Sequence, residues 1–306
     1  MELTPAAIQL LIEALDATNT AFILGAGASA PEVPVMRELI QRVLVRFKQE
    51  VKGFILTGDE PTPTHYLLAD QAADEETREA LLTANIATLR LLIARELQPA
   101  PSMFRQPPVQ YRVLSRITPA ATVINYNVDR LASTHCRAAT VIPIHGDVPD
   151  FVGRIPLRSA VRLTQDGVQI LSPESYWLPE PETEPALLDR IDPAYRALLN
   201  VATIVIIGYS FGIGTGVVMD GVSYGALTEY CRGRQVRILV VDPQPRELAG
   251  RLAEELLNSM VVPLPVRWNR LCEAILRTEH DKGVGSLLEL QQWAREILQC
   301  YEGFLE

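Results

Sequence analysis

The segment Ala21-Phe22-Ile23-Leu24-Gly25-Ala26-Gly27-Ala28-Ser29 runs from four apolar residues straight into a glycine turn. A short, continuous apolar run of this kind reads as a buried strand. Gly25 and Gly27 let the backbone bend sharply and approach a ligand with no β-carbon in the way. A helix beginning just beyond would point its free N–H groups at the same space, which favours a phosphate. The same turn would also serve simply to pack a helix close to a sheet, so the surrounding chain has to separate the two readings.

Four further apolar runs repeat the pattern. Ala121 to Ile124 ends in Asn125-Tyr126-Asn127-Val128-Asp129, and Thr140 to Ile144 ends in His145-Gly146-Asp147. Thr203 to Ile207 ends in Gly208-Tyr209-Ser210-Phe211, and Val236 to Val241 ends in Asp242-Pro243. Each run delivers glycine or polar residues at its carboxyl end, where open parallel sheets gather ligands. Val261 to Val266 reads as a last strand, and Pro263 and Pro265 place it at an edge or make it irregular. Ala160 to Leu171 alternates around Asp166-Gly167 as a hairpin does.

Between these runs the spacing turns helical. Ile8, Leu11, Ile12 and Leu15 precede the first strand, and helices are expected over Met36 to Phe47, Glu76 to Glu96, Ala194 to Asn200, Arg270 to Leu276 and Leu287 to Leu298. The loosened stretch from Val51 to about Glu75, followed by an Ala- and Leu-rich helix, is too long for a simple loop. It predicts a helical insertion over residues 48–105, above or beside the sheet, within a single domain spanning 1–306. His65 inside it is either a lid residue or, by default, a capping or surface histidine. The expected fold is α/β, a Rossmann-like and mostly parallel sheet with a helical excursion and no zinc ribbon.

Composition narrows the function classes. The chain has 306 residues, 48% hydrophobic content and a formal net charge of -9. That is enough apolar material for a large core, and the acidic balance argues against a general nucleic-acid surface. Cys136, Cys231, Cys272 and Cys300 are scattered with no CxxC pair, so no metal site is expected and a reducing, cytoplasmic setting is the simpler reading. No apolar stretch reaches membrane-spanning length without interruption.

The ordered set GAGAS, NYNVD, HG, GYSF and VDP resembles the SIR2-like, sirtuin-related Rossmann-type domain, and in particular its bacterial branch of antiphage-defence NAD hydrolases. The resemblance extends from Gly25 to Asp242. It implies that Gly25, Ala26, Gly27 and Ser29 form the dinucleotide loop, with Gly208 and Ser210 in a later nucleotide-contacting turn and Asp242 near the adenosine portion. It further implies that Asn127, Asp129 and His145 are the catalytic set and that NAD is the substrate. A homo-oligomer or a defence-system partner protein is implied as well. Departures matter too. The paired cysteines of the deacylase zinc module are absent, Pro31 to Met36 replace the deacylase-like Asp-Phe-Arg continuation, and Asn125-Tyr126 replace the usual Thr-Gln. Deacylation is therefore disfavoured.

The residue types suit cleavage of a nicotinamide-ribose bond. The leaving ring is already cationic and departs neutral, so no strong acid is required. His145 can accept a proton near neutral pH, Asn127 can orient ribose hydroxyls or water without adding charge, and Asp129 can stabilise developing positive charge. Each also has a plain structural role available: Asn127 as a helix cap, Asp129 as an acceptor for backbone N–H groups, His145 as a turn residue. The sequence reading is thus an NAD hydrolase in antiviral defence, with a non-catalytic NAD or ADP-ribose-type nucleotide sensor as the alternative. The run Gly212-Ile213-Gly214-Thr215-Gly216 lacks the Lys and Ser/Thr ending of a P-loop and reads as a turn lining the same cleft. Asp220 reads as a ligand contact or a cap, and Trp177 and Tyr209 as ring-stacking or packing residues.

Overall fold

The computed structural model describes residues 5–51, 61, 63–97, 107–127, 129, 131–136, 140–144, 191–213 and 220–281. Its sheet has six strands: β1 (Thr20–Leu24), β2 (Thr122–Asn125), β3 (Thr140–Pro143), β4 (Thr203–Ile207), β5 (Arg237–Asp242) and β6 (Met260–Pro265). Their spatial order is β3-β2-β1-β4-β5-β6 and every neighbouring pair is parallel. This is the doubly wound Rossmann order, in which the chain reverses direction across the sheet between β1 and β4 and opens a crevice at their carboxyl ends. The fold class is the one expected from the sequence.

The strands are apolar on both faces because each face carries a core. Phe22, Leu24, Val123, Val205, Ile207, Leu239 and Val241 pack on one side, with the helices Pro5–Asp16, Met36–Arg46, Val109–Leu114 and Trp268–Asp281. Ala21, Ile23, Ile124, Ile204, Ile206, Ile238 and Val240 pack on the other, with Gly221–Cys231 and Arg246–Glu255. The period-two alternation of strand side chains sorts each run between the two cores. At about 1.5–3 kcal/mol for each fully buried aliphatic or aromatic side chain, this double burial is the main force holding the site-bearing loops in register.

The helical segment after Arg46 breaks more often than its periodicity predicts. A π-turn over Phe47–Val51 continues the preceding helix, and helices cover Pro63–Ala69, Glu75–Leu82 and Ile86–Leu97. The expected single helix over Glu76 to Glu96 is two. Asp74 starts the first by accepting from the Thr77 N–H at 2.8 Å. Thr83 Oγ bonds back to the Glu79 carbonyl, and His65 Nε2 meets the Ala84 carbonyl at 2.8 Å. His65 is fully buried there, so of its structural readings the capping one fits and the surface one does not. Leu68, Leu81, Leu89 and Leu92 join the same core as Phe22, and Arg46 pairs with Glu96.

Several elements differ from the sequence expectation. The helices Val109–Leu114, Leu131–His135, Gly221–Cys231 and Arg246–Glu255 are not among the expected ones, and the Arg270 to Leu276 helix extends over Trp268–Asp281. β6 pairs with β5 despite Pro263 and Pro265, as the edge strand of the sheet. The hairpin expected over Ala160 to Leu171, Trp177, the helix over Leu287 to Leu298 and Cys300 lie outside the described residues. Among the described residues no helix is long and apolar enough to cross a membrane, and no cluster of His, Cys, Asp and Glu is placed to hold a metal.

Candidate functional site

The loops leaving β1 and β2 meet through a buried polar network. β1 ends at Leu24, and the chain enters a four-residue helical turn, Ala26–Ser29, whose Ser29 is fully buried. β2 ends at Asn125, which is also fully buried and pins the next turn from both sides. Its Nδ2 donates to the Asn127 carbonyl at 3.0 Å, and its Oδ1 accepts from the Asn127 N–H at 3.2 Å. Asn127 is thereby aimed across at the β1 loop. Its Nδ2 donates to the Gly25 carbonyl at 2.9 Å and to Ser29 Oγ at 3.1 Å.

Those two contacts settle which end of the Asn127 carboxamide faces where. A carbonyl oxygen can only accept, so the atom against Gly25 is the NH₂ group, and both of its hydrogens are used. The remaining capacity of this side chain is its Oδ1 acceptor, which meets no hydrogen-bond donor among the described residues. Asn127 can therefore offer a ligand an acceptor, suited to a hydroxyl, a water or an amide N–H.

Asp129 is only 2% exposed. One of its oxygens accepts from Ser29 Oγ at 2.7 Å and the other from the Leu131 N–H at 3.0 Å, where it starts the helix Leu131–His135. Both bonds are received, which suits a carboxylate. The helix-start role and a charge held beside the β1 loop thus coexist in one side chain. A further member that sequence reasoning missed is Tyr111, fully buried, whose hydroxyl lies against Ser29 Oγ and whose ring tilts against His135. Burial and the nearby Asp129 hold its phenol well above the ordinary tyrosine range, so it stays protonated.

The glycines at the crevice are there because two backbones touch. A β-carbon added at Gly25 would lie 2.5 Å from the Gly208 carbonyl oxygen, and one added at Gly27 would lie 2.7 Å from the Gly208 Cα. Gly208 has φ +58, and a β-carbon on it would collide with Gly27. The Gly25 N–H donates to the Ile207 carbonyl at 2.9 Å and the Gly27 N–H to the Gly208 carbonyl at 3.1 Å. Both N–H groups are thus spent within the protein. Ala26, half-buried, opens the short helix, and Ser210 is half-buried beyond β4.

Other expected positions fall nearby. Asp242 is half-buried at the end of β5, accepts from the Gln244 N–H at 2.7 Å, and has its carboxyl pushed above its ordinary range by burial. The Gly208 N–H donates to the Val241 carbonyl at 2.9 Å, which ties the ends of β4 and β5. Tyr209 stacks on Tyr126 with ring centroids 4.1 Å apart, and its hydroxyl donates to Asp220. Asp220 also starts the helix Gly221–Cys231 by accepting from the Ser223 N–H at 3.0 Å. Both residues therefore take their structural readings. The Phe211-Gly212 turn is left-handed, with φ 55 and 78, while residues 214–219 and the predicted His145 lie outside the described residues.

The network unites Gly25, Ser29, Asn127 and Asp129, with Gly27 and Gly208 packed beside it; Asp242 stands apart on β5. No protein-family model matches this chain, and no curated protein matches it. Among solved structures it is similar to a crystal structure of a Sir2 protein in complex with an inhibitor, 2′-O-acetyl-ADP-ribose and a deacetylated peptide. The identity is 12% and the TM-score 0.37, over 90% of this chain and 99% of the other. That match transfers no residue role to this chain.

Proposed function

We propose that the chain hydrolyses NAD at its nicotinamide-ribose bond, giving nicotinamide and ADP-ribose, in the antiviral-defence setting that its ordered motifs resemble. The observation that carries this reading is the orientation of Asn127, whose amide hydrogens are both held internally so that Oδ1 is left as an acceptor, and whose amide shares Ser29 Oγ with the buried Asp129 carboxylate. As the C1′–N bond breaks, its electron pair goes to the pyridinium nitrogen and positive charge develops on the ribose. Asp129 stabilises that charge through space. Asn127 Oδ1 accepts from a ribose hydroxyl or from the attacking water, fixing its direction. Water forms the new C1′–O bond and gives up its proton to His145, the histidine that the resemblance makes catalytic.

The chain, alone and with candidate partner proteins or as an assembled homo-oligomer, is incubated with NAD and its products separated by chromatography. Nicotinamide with ADP-ribose is expected. A cyclic product would mean that a ribose hydroxyl captures the intermediate. Asn127→Ala and His145→Ala should cut turnover far more than NAD occupancy, and a hundredfold loss corresponds to roughly 2.7 kcal/mol of transition-state stabilisation. NAD binding with no turnover under any of these conditions would overturn the hydrolase in favour of the nucleotide sensor.

A further inference from the structure

We infer that Tyr111 is a positioning residue of this site: its hydroxyl, acting through Ser29, sets the orientation of the Asn127 carboxamide and the Asp129 carboxylate. The argument is one of donor and acceptor counts. Ser29 Oγ has three polar neighbours, Asn127 Nδ2 at 3.1 Å, Asp129 Oδ2 at 2.7 Å and the Tyr111 hydroxyl. A serine hydroxyl has one hydrogen and two lone pairs. Asn127 Nδ2 can only donate to it. The carboxylate can only accept from it, which consumes the one hydrogen. The remaining lone pair must then receive the hydrogen of Tyr111. Any other arrangement leaves two acceptors facing each other inside a buried cluster, at the cost of an unsatisfied polar group.

This makes Ser29 a saturated hub. With all three positions filled internally it has no hydrogen bond left for a ligand, so its role differs from the direct contact that the motif suggested. Without the phenol hydrogen, one lone pair of Ser29 is left unfilled inside a buried cluster and Oγ is no longer held from its third side, which loosens its grip on Asp129 and Asn127 together. The helix that carries Tyr111, Val109–Leu114, leads directly into β2, so the residue that locks the network sits on the same stretch of chain as the two it aligns.

Tyr111→Phe tests this, because it keeps the ring packed against His135 and deletes one hydroxyl. The kinetic arm rests on the hydrolase reading: kcat should fall about tenfold or more with NAD affinity within about threefold of wild type. Ser29→Ala should give a similar loss, and the double variant should be no worse than Ser29→Ala, since the phenol acts only through the hub. A second arm needs no turnover. With asparagine selectively labelled with nitrogen-15, the Asn127 side-chain amide hydrogens should exchange with solvent faster in Tyr111→Phe than in wild type. If wild type releases no nicotinamide, the hydrolase reading fails while the amide exchange still decides the role of Tyr111. Should Tyr111→Phe not fold, the wild-type protein still decides it: a slowly exchanging Tyr111 hydroxyl proton with a nuclear Overhauser contact to the Ser29 β-protons is expected, and its absence would overturn the inference. Full kcat in an active Tyr111→Phe protein, an unmoved Asn127 amide, or additive losses in the double variant would overturn the inference.

Discussion

Asn127 shows how little freedom a buried carboxamide retains once its neighbours are fixed. Asn127→Asp would remove both hydrogens now held by Gly25 and Ser29 and set a second carboxylate near Asp129. It is expected to cost about 3 kcal/mol or more of folding stability, read by urea denaturation. Asp242 behaves oppositely. Burial raises its folded value above the ordinary 3.8, so the stability it contributes is complete below that value and is lost as pH rises through the raised one. Asp242→Asn keeps the acceptor for the Gln244 N–H and removes the charge. It should raise the melting temperature at neutral pH, and the gain should vanish as pH falls into the carboxylate range. An equal gain at every pH would sink this assignment. Asn127 and Asp129 were legible in the sequence because they close an apolar run. Tyr111 was not, since nothing in its own segment marks a phenol that reaches the β1 loop through space.

At the scale of elements, the β1 and β4 turns depend on three glycines for different reasons than a helix does. Gly208→Ala would combine an unfavourable φ of +58 with collision against Gly27, and should destabilise the protein by at least about 2 kcal/mol. Gly250, exposed in the helix Arg246–Glu255, has nothing within 4 Å of an added β-carbon. Gly250→Ala should stabilise by about 0.5–1 kcal/mol, and thermal denaturation of the two variants would separate these roles. All six strands were readable: five are short apolar runs bounded by polar or glycine residues, and the sixth is an apolar run whose two prolines mark it as an edge. The helices Gly221–Cys231 and Arg246–Glu255 were harder. The first mixes small, apolar and polar residues around its circumference, and the second is largely charged with a narrow apolar stripe of Leu248, Ala249 and Leu252. The break at Thr83 to Asn85 depends on His65 from another helix, a tertiary contact that local periodicity cannot carry.

For the whole molecule, the strand order puts the residues of the network and the ends of β4 and β5 at one end of the sheet. The opposite end carries a groove of about 520 Å³ lined by Glu13, Asn19, Thr203, Gln235, Arg237 and Asn258. If NAD binds as proposed, hydrogen exchange should slow at residues 25–29, 125–129 and 208–210 and stay unchanged at 202–203 and 235–237. Slowing confined to the groove would place the nucleotide at the wrong end. The edge strand β6 has a separate consequence. The Met260 N–H donates to the Val236 carbonyl, so by alternation residues 262 and 264 also direct their backbone groups toward β5, while 261, 263 and 265 face outward. Pro263 and Pro265 therefore delete their hydrogens from the outer rim, where a newcomer strand would need them. A strand added past β6 would therefore have to do without two of its hydrogen bonds, which disfavours lengthening the sheet there. Side-chain surfaces, or another margin, suit the joining of a copy or partner better than this edge does.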